Sequence, residues 1–337
     1  MEQQPNFEKK PVNRHYWVYL VILLVIVASV IAILAFRKTK DESAEAPEST
    51  TAEQKTNQGT KSTAAWKEGG TAVAGKFADA DVVDIGDGKF RMYYSVEPEV
   101  PGNKLEVYSA TSSDGKTWQK EEGTRKVMAT FPDVMKLDDS RYRMYFQNAG
   151  VIKSATSTDG LNFTDEKDER VSKEETGYNL ENVGAQTTTK LDDGTYLMVY
   201  RGMIKEPYKT TEKVPNNNTQ IFFYATSSDG LNFVKKGLAI DSRNEILFGL
   251  VDGAEFTKWD NGELRLYFWS YKGVYHSVYK NGKFSEPVFD FTNSTDTNVK
   301  FAPNPPGDPT LAKINGTWYM YYGQHEKGIY YAALTEK

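Results

Sequence analysis

The sequence contains no cysteine and only three histidines, His15, His276 and His325. The first absence excludes a disulfide framework and a cysteine nucleophile, and the second leaves too few imidazoles for a clustered zinc site. A lysine-rich block is also missing from the body of the chain. With 41 Lys and Arg against 46 Asp and Glu, the formal charge is -5 and the pI is near 5.5. A nucleic-acid partner demands a basic face for its phosphates, so none is expected; neutral or weakly cationic ligands suit this balance better. What the chain has in quantity is aromatic side chain, 13% of 337 residues, enough for a substantial core and inconsistent with disorder throughout.

One long uncharged run stands near the N-terminus, from Tyr16 to Phe36. As a helix it reaches ~31 Å, enough to cross a hydrocarbon core. Tyr16, Trp17 and Tyr19 sit at one end like an interfacial belt, and Arg37, Lys38 and Lys40 close the other. The run exceeds a signal-peptide core, and the nearest small-x-small site, Ala44 to Ala46, lies well past its end, so a retained anchor is expected. Lys9, Lys10 and Arg14 balance the charges on the far side, leaving orientation undecided by the positive-inside count. A short tail before the anchor and a large domain after it favour the domain outside. The expected order is a tail over 1–15, a transmembrane helix over 16–36, a flexible Ser/Thr/Glu/Ala-rich stalk over 37–65, and a folded domain over 66–337.

Within that domain one pattern recurs. An acid opens an alternating strand, an Asp-Gly or Asn-Gly turn follows, and a "YRMYF"-like strand returns. Asp81 to Phe90, Asp133 to Tyr142 and Glu255 to Leu264 share one interval, Thr187 to Tyr196 fits it with a hydroxyl in place of the acid, and Asp308 to Trp318 carries one extra residue. The turns "GDGK", "DDSR", "DDGT", "DNGE" and "NGT" supply the residues that tight hairpins need for positive φ. A second string, "ATSSDGKTW", "ATSTDGLNF" and "ATSSDGLNF", provides a third strand, a turn and the opening of a fourth. Four short antiparallel strands repeated at roughly 45 to 60 residues per unit predict an all-β, five-bladed propeller rather than a sandwich. Met92, Met144, Met198, Leu266 and Met320 hold one second-strand position and are read as blade-to-blade packing. The last unit has no room for a fourth strand, so the segment from Thr71 is expected to close the ring by pairing with it.

The Asp-led first strands, the "YRMYF"-like second strands and the "ATSSDGLNF" hairpins together resemble the arabinanase, invertase and levansucrase superfamily of five-bladed propeller glycosidases. The resemblance spans the whole domain. It implies a carbohydrate ligand and a first-blade carboxylate acting as base or nucleophile at Asp81, with Asp79 close by. It also implies a second-blade aspartate at Asp133 and a general-acid glutamate at the head of blade three. That last place holds Gln186 and Thr187, so Glu181 upstream and Glu255 of blade four are the candidates for the acid. His325 resembles a last-blade histidine that helps hold a calcium ion or water in the channel of some arabinanases; no cofactor is otherwise required.

Independently of the resemblance, first strands line the channel of a propeller, so Asp81, Asp133, Thr187, Glu255 and Asp308 are expected to form a ring. Two carboxylates ~6 Å apart at an effective dielectric near 20 repel by ~3 kcal/mol, or ~2 pKa units. Such repulsion splits a pair into proton donor and charged partner, which glycoside hydrolysis requires. The competing reading has these acids neutralised by Arg91, Arg143 and Arg265. Arg201, Trp269 and His325 follow second strands and are expected on the same face, Arg201 to hold a hydroxyl or carboxylate and Trp269 to stack on a sugar. A membrane-anchored, extracytoplasmic glycoside hydrolase for furanoside- or fructoside-containing glycans is the expected function. The alternative is a non-catalytic propeller that binds carbohydrate or protein. A glutamate opposite Asp81 favours the first, and one facing solvent the second.

Overall fold

The computed structural model describes residues 61–97, 102, 104–174, 176–209, 218–296, 298–324 and 327–335. The expected tail, the membrane helix over 16–36, most of the stalk, and His325 lie outside the described residues. The end of the stalk is part of the fold, because Lys61 bridges to Phe289 and the Ser62 N–H donates to the Phe289 carbonyl at 2.8 Å.

After β1 (Ala65–Ala74), the chain builds blade one from β2 (Phe77–Gly86), β3 (Lys89–Val96), β4 (Glu106–Ser112), β5 (Gln119–Lys120) and β6 (Lys126–Val127). Blade two is β7 (Thr130–Lys136), β8 (Tyr142–Asn148), β9 (Val151–Ser157) and β10 (Thr164–Asp165). Blade three is β11 (Leu180–Lys190), β12 (Tyr196–Ile204), β13 (Thr219–Ser227) and β14 (Val234–Ile240). Blade four is β15 (Asp252–Lys258), β16 (Leu264–Ser270), β17 (Gly273–Lys280), β18 (Lys283–Phe284) and β19 (Val288–Phe291). Blade five has β20 (Gly307–Ile314), β21 (Thr317–Gly323) and β22 (Gly328–Thr335), and takes its fourth strand from β1. The closure begins earlier than expected: pairing runs from Ala65 opposite Thr335 to Ala74 opposite Gly328. It leaves β22 no open edge.

Each blade starts at the axis. β2, β7, β11, β15 and β20 neighbour one another in a closed ring, and the later strands of each sheet step outward. Turn chemistry sets the hairpins: Asp87-Gly88 and Asn315-Gly316 both take left-handed φ, as two-residue turns require. Ser140, Gly194 and Gly262 supply a single left-handed residue in the other three blades. Met92, Met144, Met198, Leu266 and Met320 are fully buried, as packing between blades demands.

The Ser-Asp-Gly hairpins lock neighbouring blades together. In each, Asp114, Asp159 or Asp229 caps the turn by accepting from two backbone N–H groups. The buried glycine of the turn then docks on the adjacent blade. Tyr321 donates to the Gly115 carbonyl, Tyr93 to Gly160 and Tyr145 to Gly230, each at 2.8 Å. Blade four carries the worn hairpin "YKNGKF", and blade three correspondingly has Val199 where the others have tyrosine.

Candidate functional site

Every inner strand breaks register at an equivalent place, and β2 and β11 each carry one further shift, between Asp84 and Gly86 and between Leu180 and Asn182. The equivalent breaks fall between Ala78 and Asp81, Thr130 and Asp133, Gly184 and Thr187, Asp252 and Glu255, and Gly307 and Thr310. At each break one residue is left-handed: Asp79, Phe131, Ala185, Gly253 or Asp308. A bulge inserts an extra residue and turns its neighbours, and a non-glycine residue held this way costs on the order of 1 kcal/mol. Four of the five are non-glycine residues, so strain recurs around one axis and makes this level of the channel a candidate functional site.

The bulges define two tiers, and they correct the ring drawn from sequence spacing. The lower tier is Asp81, Asp133, Thr187, Glu255 and Thr310, which face Tyr93, Tyr145, Val199, Tyr267 and Tyr321 across the hairpins. Asp308 stands two residues earlier, at the bulge level with Asp79. The one extra residue counted in blade five is what remains of that two-residue offset after a hairpin one residue shorter than in the other blades, so the count alone does not reveal it. The upper tier lines a constriction of about 20 Å³ together with Asp133, Gln186 and Glu255, room for about one water. Asp81, Asp133, Thr187 and Glu255 line a wider chamber of about 400 Å³ below it. The five acids thus share one channel. Glu181 does not join them and is exposed to solvent.

A further ring overlooks the bulges from the second strands: Ser95, Gln147, Arg201, Trp269 and Gly323. Four of these reach across to the next blade, Gln147 by accepting from Arg201 at 3.3 Å. Ser95 Oγ accepts from the Phe131 N–H at 3.1 Å, Arg201 pairs with Asp252 at 3.4 Å, and Trp269 Nε1 donates to Asp308 Oδ1 at 3.0 Å. Gln147 lies over Gly184, where a Cβ would stand only 1.6 Å from Gln147 Oε1. Gly253 plays a similar part, since a Cβ there would lie 2.4 Å from the Asp308 Cα.

Burial governs the electrostatics. It pushes Asp79 up to about 8, with further upward pressure from Glu97 and a partial offset from the Phe131 N–H. Asp308 is raised well above the carboxylate range by burial and then by Asp79 and Asp252. Burial lifts Asp81 to about 7 against the Val134 N–H, which donates to it at 2.6 Å. Asp133 and Glu255 are raised well above their usual range by burial, Asp133 additionally by Asp81, and Glu255 by both. The arginines on the second strands do not relieve this. Arg91 is taken by Glu121, Arg143 by Glu166 and Arg265 by Glu263. Neither Asp79 nor Asp308 has a cationic partner among the described residues, whereas Asp252 has Arg201.

At the head of blade three, where the resemblance places a glutamate, Gln186 donates to the Phe131 carbonyl at 2.6 Å and Thr187 Oγ1 accepts from Phe256 N. Sequence reasoning missed Asp252, Phe131, Gln147 and Thr310. Aligning all five copies on the bulge would have found them, because Asp252 is then the residue three before the ring position. Among the described residues no three carboxyl or imidazole groups converge closely enough to hold a metal ion.

The fold is that of the five-bladed propeller glycosidases. No family model matches the chain, and no curated protein matches it. Among solved structures it is similar to one described under "The GH130 family of mannoside phosphorylases contains glycoside hydrolases that target beta-1,2 mannosidic linkages in Candida mannan". That likeness has 14% identity and a TM-score of 0.57, and covers 85% of this chain and 96% of that one. A thermostable family-43 glycoside hydrolase is similar at 14% identity and TM-score 0.58, with 78% and 91% covered. The GH43_1 enzyme from Xanthomonas citri is similar at 13% identity and TM-score 0.56, with 80% and 92% covered.

Proposed function

We propose that this chain is a glycoside hydrolase, anchored in a membrane by residues 16–36, with the propeller on the extracytoplasmic side. Its substrates are glycans containing furanoside or fructoside units, as the sequence resemblance implies. One observation carries the catalytic reading. The upper tier holds Asp79, a carboxyl pushed up to about 8 by burial, in the field of Asp252, which is ion-paired to Arg201 at 3.4 Å. A carboxyl that holds its proton beside one ion-paired to an arginine can supply the acid and the base of glycosidic cleavage. Asp79 gives its proton to the departing glycosidic oxygen, while Asp252 takes a proton from attacking water or attacks the anomeric carbon itself. Trp269, fixed by its bond to Asp308, offers a ring for the sugar to stack on. Burial, with Glu97 and Asp252, keeps Asp79 protonated, while Asp81, Asp133 and Glu255 form a separate, mutually repelling group below it.

A binding-only role is favoured by a different observation, the absence of an acid at Gln186 and Thr187 together with the exposure of Glu181. A panel of aryl glycosides separates the two readings. Wild type is expected to release the aryl alcohol from at least one member, and Asp79→Asn and Asp252→Asn to lose that activity by about 100-fold or more. Saturable sugar binding with no release above background by any of the three proteins would leave the binding role.

A further inference from the structure

The channel does not end at the acid ring. Beneath it lies the chamber of about 400 Å³, within the range of small-ligand pockets, and the constriction above admits little more than one water. A ligand in the chamber therefore enters from the opposite face. Its deep wall has polar atoms left without partners. Thr257 is 5% exposed, yet its Oγ1 has no hydrogen-bond partner among the described residues, and Asp133, 6% exposed, has Oδ2 outside hydrogen-bonding geometry, with only the Thr188 hydroxyl and N–H close enough to lower its pKa. Buried acceptors of this kind are costly unless something meets them.

The charges around the chamber are one-sided. Asp81 and Asp84 come from β2, Asp133 from β7, Glu255 and Lys258 from β15, and Lys313 from β20, while β11 contributes only the hydroxyls of Thr187 and Thr188. Both lysines are engaged elsewhere, Lys258 with Asp192 at 3.3 Å and Lys313 with Asp260 at 2.7 Å. The rim adds Phe90 and Trp318, the latter stacked on Trp259 at 4.5 Å. The carboxyls surround the space without converging on a point, so they do not fit a metal ion. A group with several divergent N–H donors and an apolar body does fit.

We infer that this chamber is a second binding site, for a small organic cation bearing a primary ammonium group, whose head bonds Asp133 and Thr257 and whose body lies against Phe90 and Trp318. The inference does not depend on hydrolysis at the other mouth. An ammonium favours the ionised form of carboxyls that burial otherwise keeps protonated, so binding releases protons and tightens as pH rises.

Butylammonium titrated into the full chain in detergent micelles, followed by calorimetry, tests this, with butanol as the neutral analogue and calcium as the competing point charge. Butylammonium is expected to bind saturably, roughly tenfold or more tighter than butanol, because charge-assisted bonds are lost with the neutral group. Its affinity is expected to rise from about pH 6 to about pH 8, with proton release. Thr257→Val is expected to weaken it about tenfold. Equal binding of butanol, displacement of butylammonium by stoichiometric calcium, or an affinity unchanged in Thr257→Val would each overturn the assignment. The first two measurements need no variant, so a folding defect in Thr257→Val does not shelter the proposal.

Discussion

Raising the pH from about 5 to about 7 is expected to weaken the propeller substantially, against the trend of most proteins, whose paired carboxylates favour neutral pH. Asp79 ordinarily ionises at 3.8 but is held at about 8 in the fold, so across that interval the folded chain keeps a proton the unfolded chain has released. The state that binds more protons is favoured at low pH, and each pH unit in the window costs about 1.4 kcal/mol per retained proton. Asp81, held at about 7, adds a second over most of the same window. Together they take away about 5 kcal/mol between about pH 5 and about pH 7, a large part of a typical domain's stability. Asp133, Glu255 and Asp308 are displaced in the same direction. The lowered acids of the Ser-Asp-Gly turns, such as Asp114 at about 2, oppose this only below about pH 4. Urea unfolding followed by tryptophan fluorescence reads the effect as a midpoint that falls with rising pH. Asp79→Asn removes one retained proton, so its midpoint should fall less steeply and exceed that of wild type at about pH 8. A midpoint that rises over this range, or an identical slope in Asp79→Asn, would refute the reasoning.

Other perturbations follow from particular contacts. Tyr145→Phe strands the buried Gly230 carbonyl and is expected to cost about 1–3 kcal/mol, whereas Tyr200→Phe removes a buried hydroxyl that has no partner among the described residues and should be neutral or stabilising; matched urea curves compare them. Gly253→Ala forces a Cβ to within 2.4 Å of the Asp308 Cα and is expected to lower both stability and activity, read by thermal unfolding and aryl-glycoside release. Arg201→Met leaves Asp252 buried without its cation and should cost about 3–5 kcal/mol if the charge persists; a smaller loss accompanied by an alkaline shift of the pH–rate profile would show that Asp252 had taken a proton instead.

Much of this fold was legible in the sequence because its signals are local. Asp-Gly and Asn-Gly turns between alternating strands fix each hairpin, and repetition fixes their number. The methionine position, the closing N-terminal strand and the convergence of Asp81 and Asp133 on one axis followed from that grammar. What spacing could not reveal was the bulge. A residue slipped out of register moves its neighbours to another level, and nothing in "GDPTLAKINGTWYMYY" distinguishes Asp308 at the level of Asp79 from Asp308 at the level of Asp81. Only the pairing of Thr310 with Tyr321 settles it. Arg201 and Trp269 were expected just past the second strands; the structure places them within β12 and β16, and their partners lie on the next blade. Those contacts, Asp252 and Asp308, depend on how blades are set against one another, which no single hairpin encodes.

Acid catalysis in this site requires a carboxyl at the head of blade one that keeps its proton at neutral pH. Carbon-13 NMR titration of aspartate carboxyls in the full chain, with Asp79→Asn for assignment, measures this directly. A resonance that titrates near pH 8 and is absent from the variant is the expected result. If the resonance lost in Asp79→Asn titrates near the ordinary aspartate value of about 4, the site has no proton donor at Asp79 and the proposed acid catalysis fails.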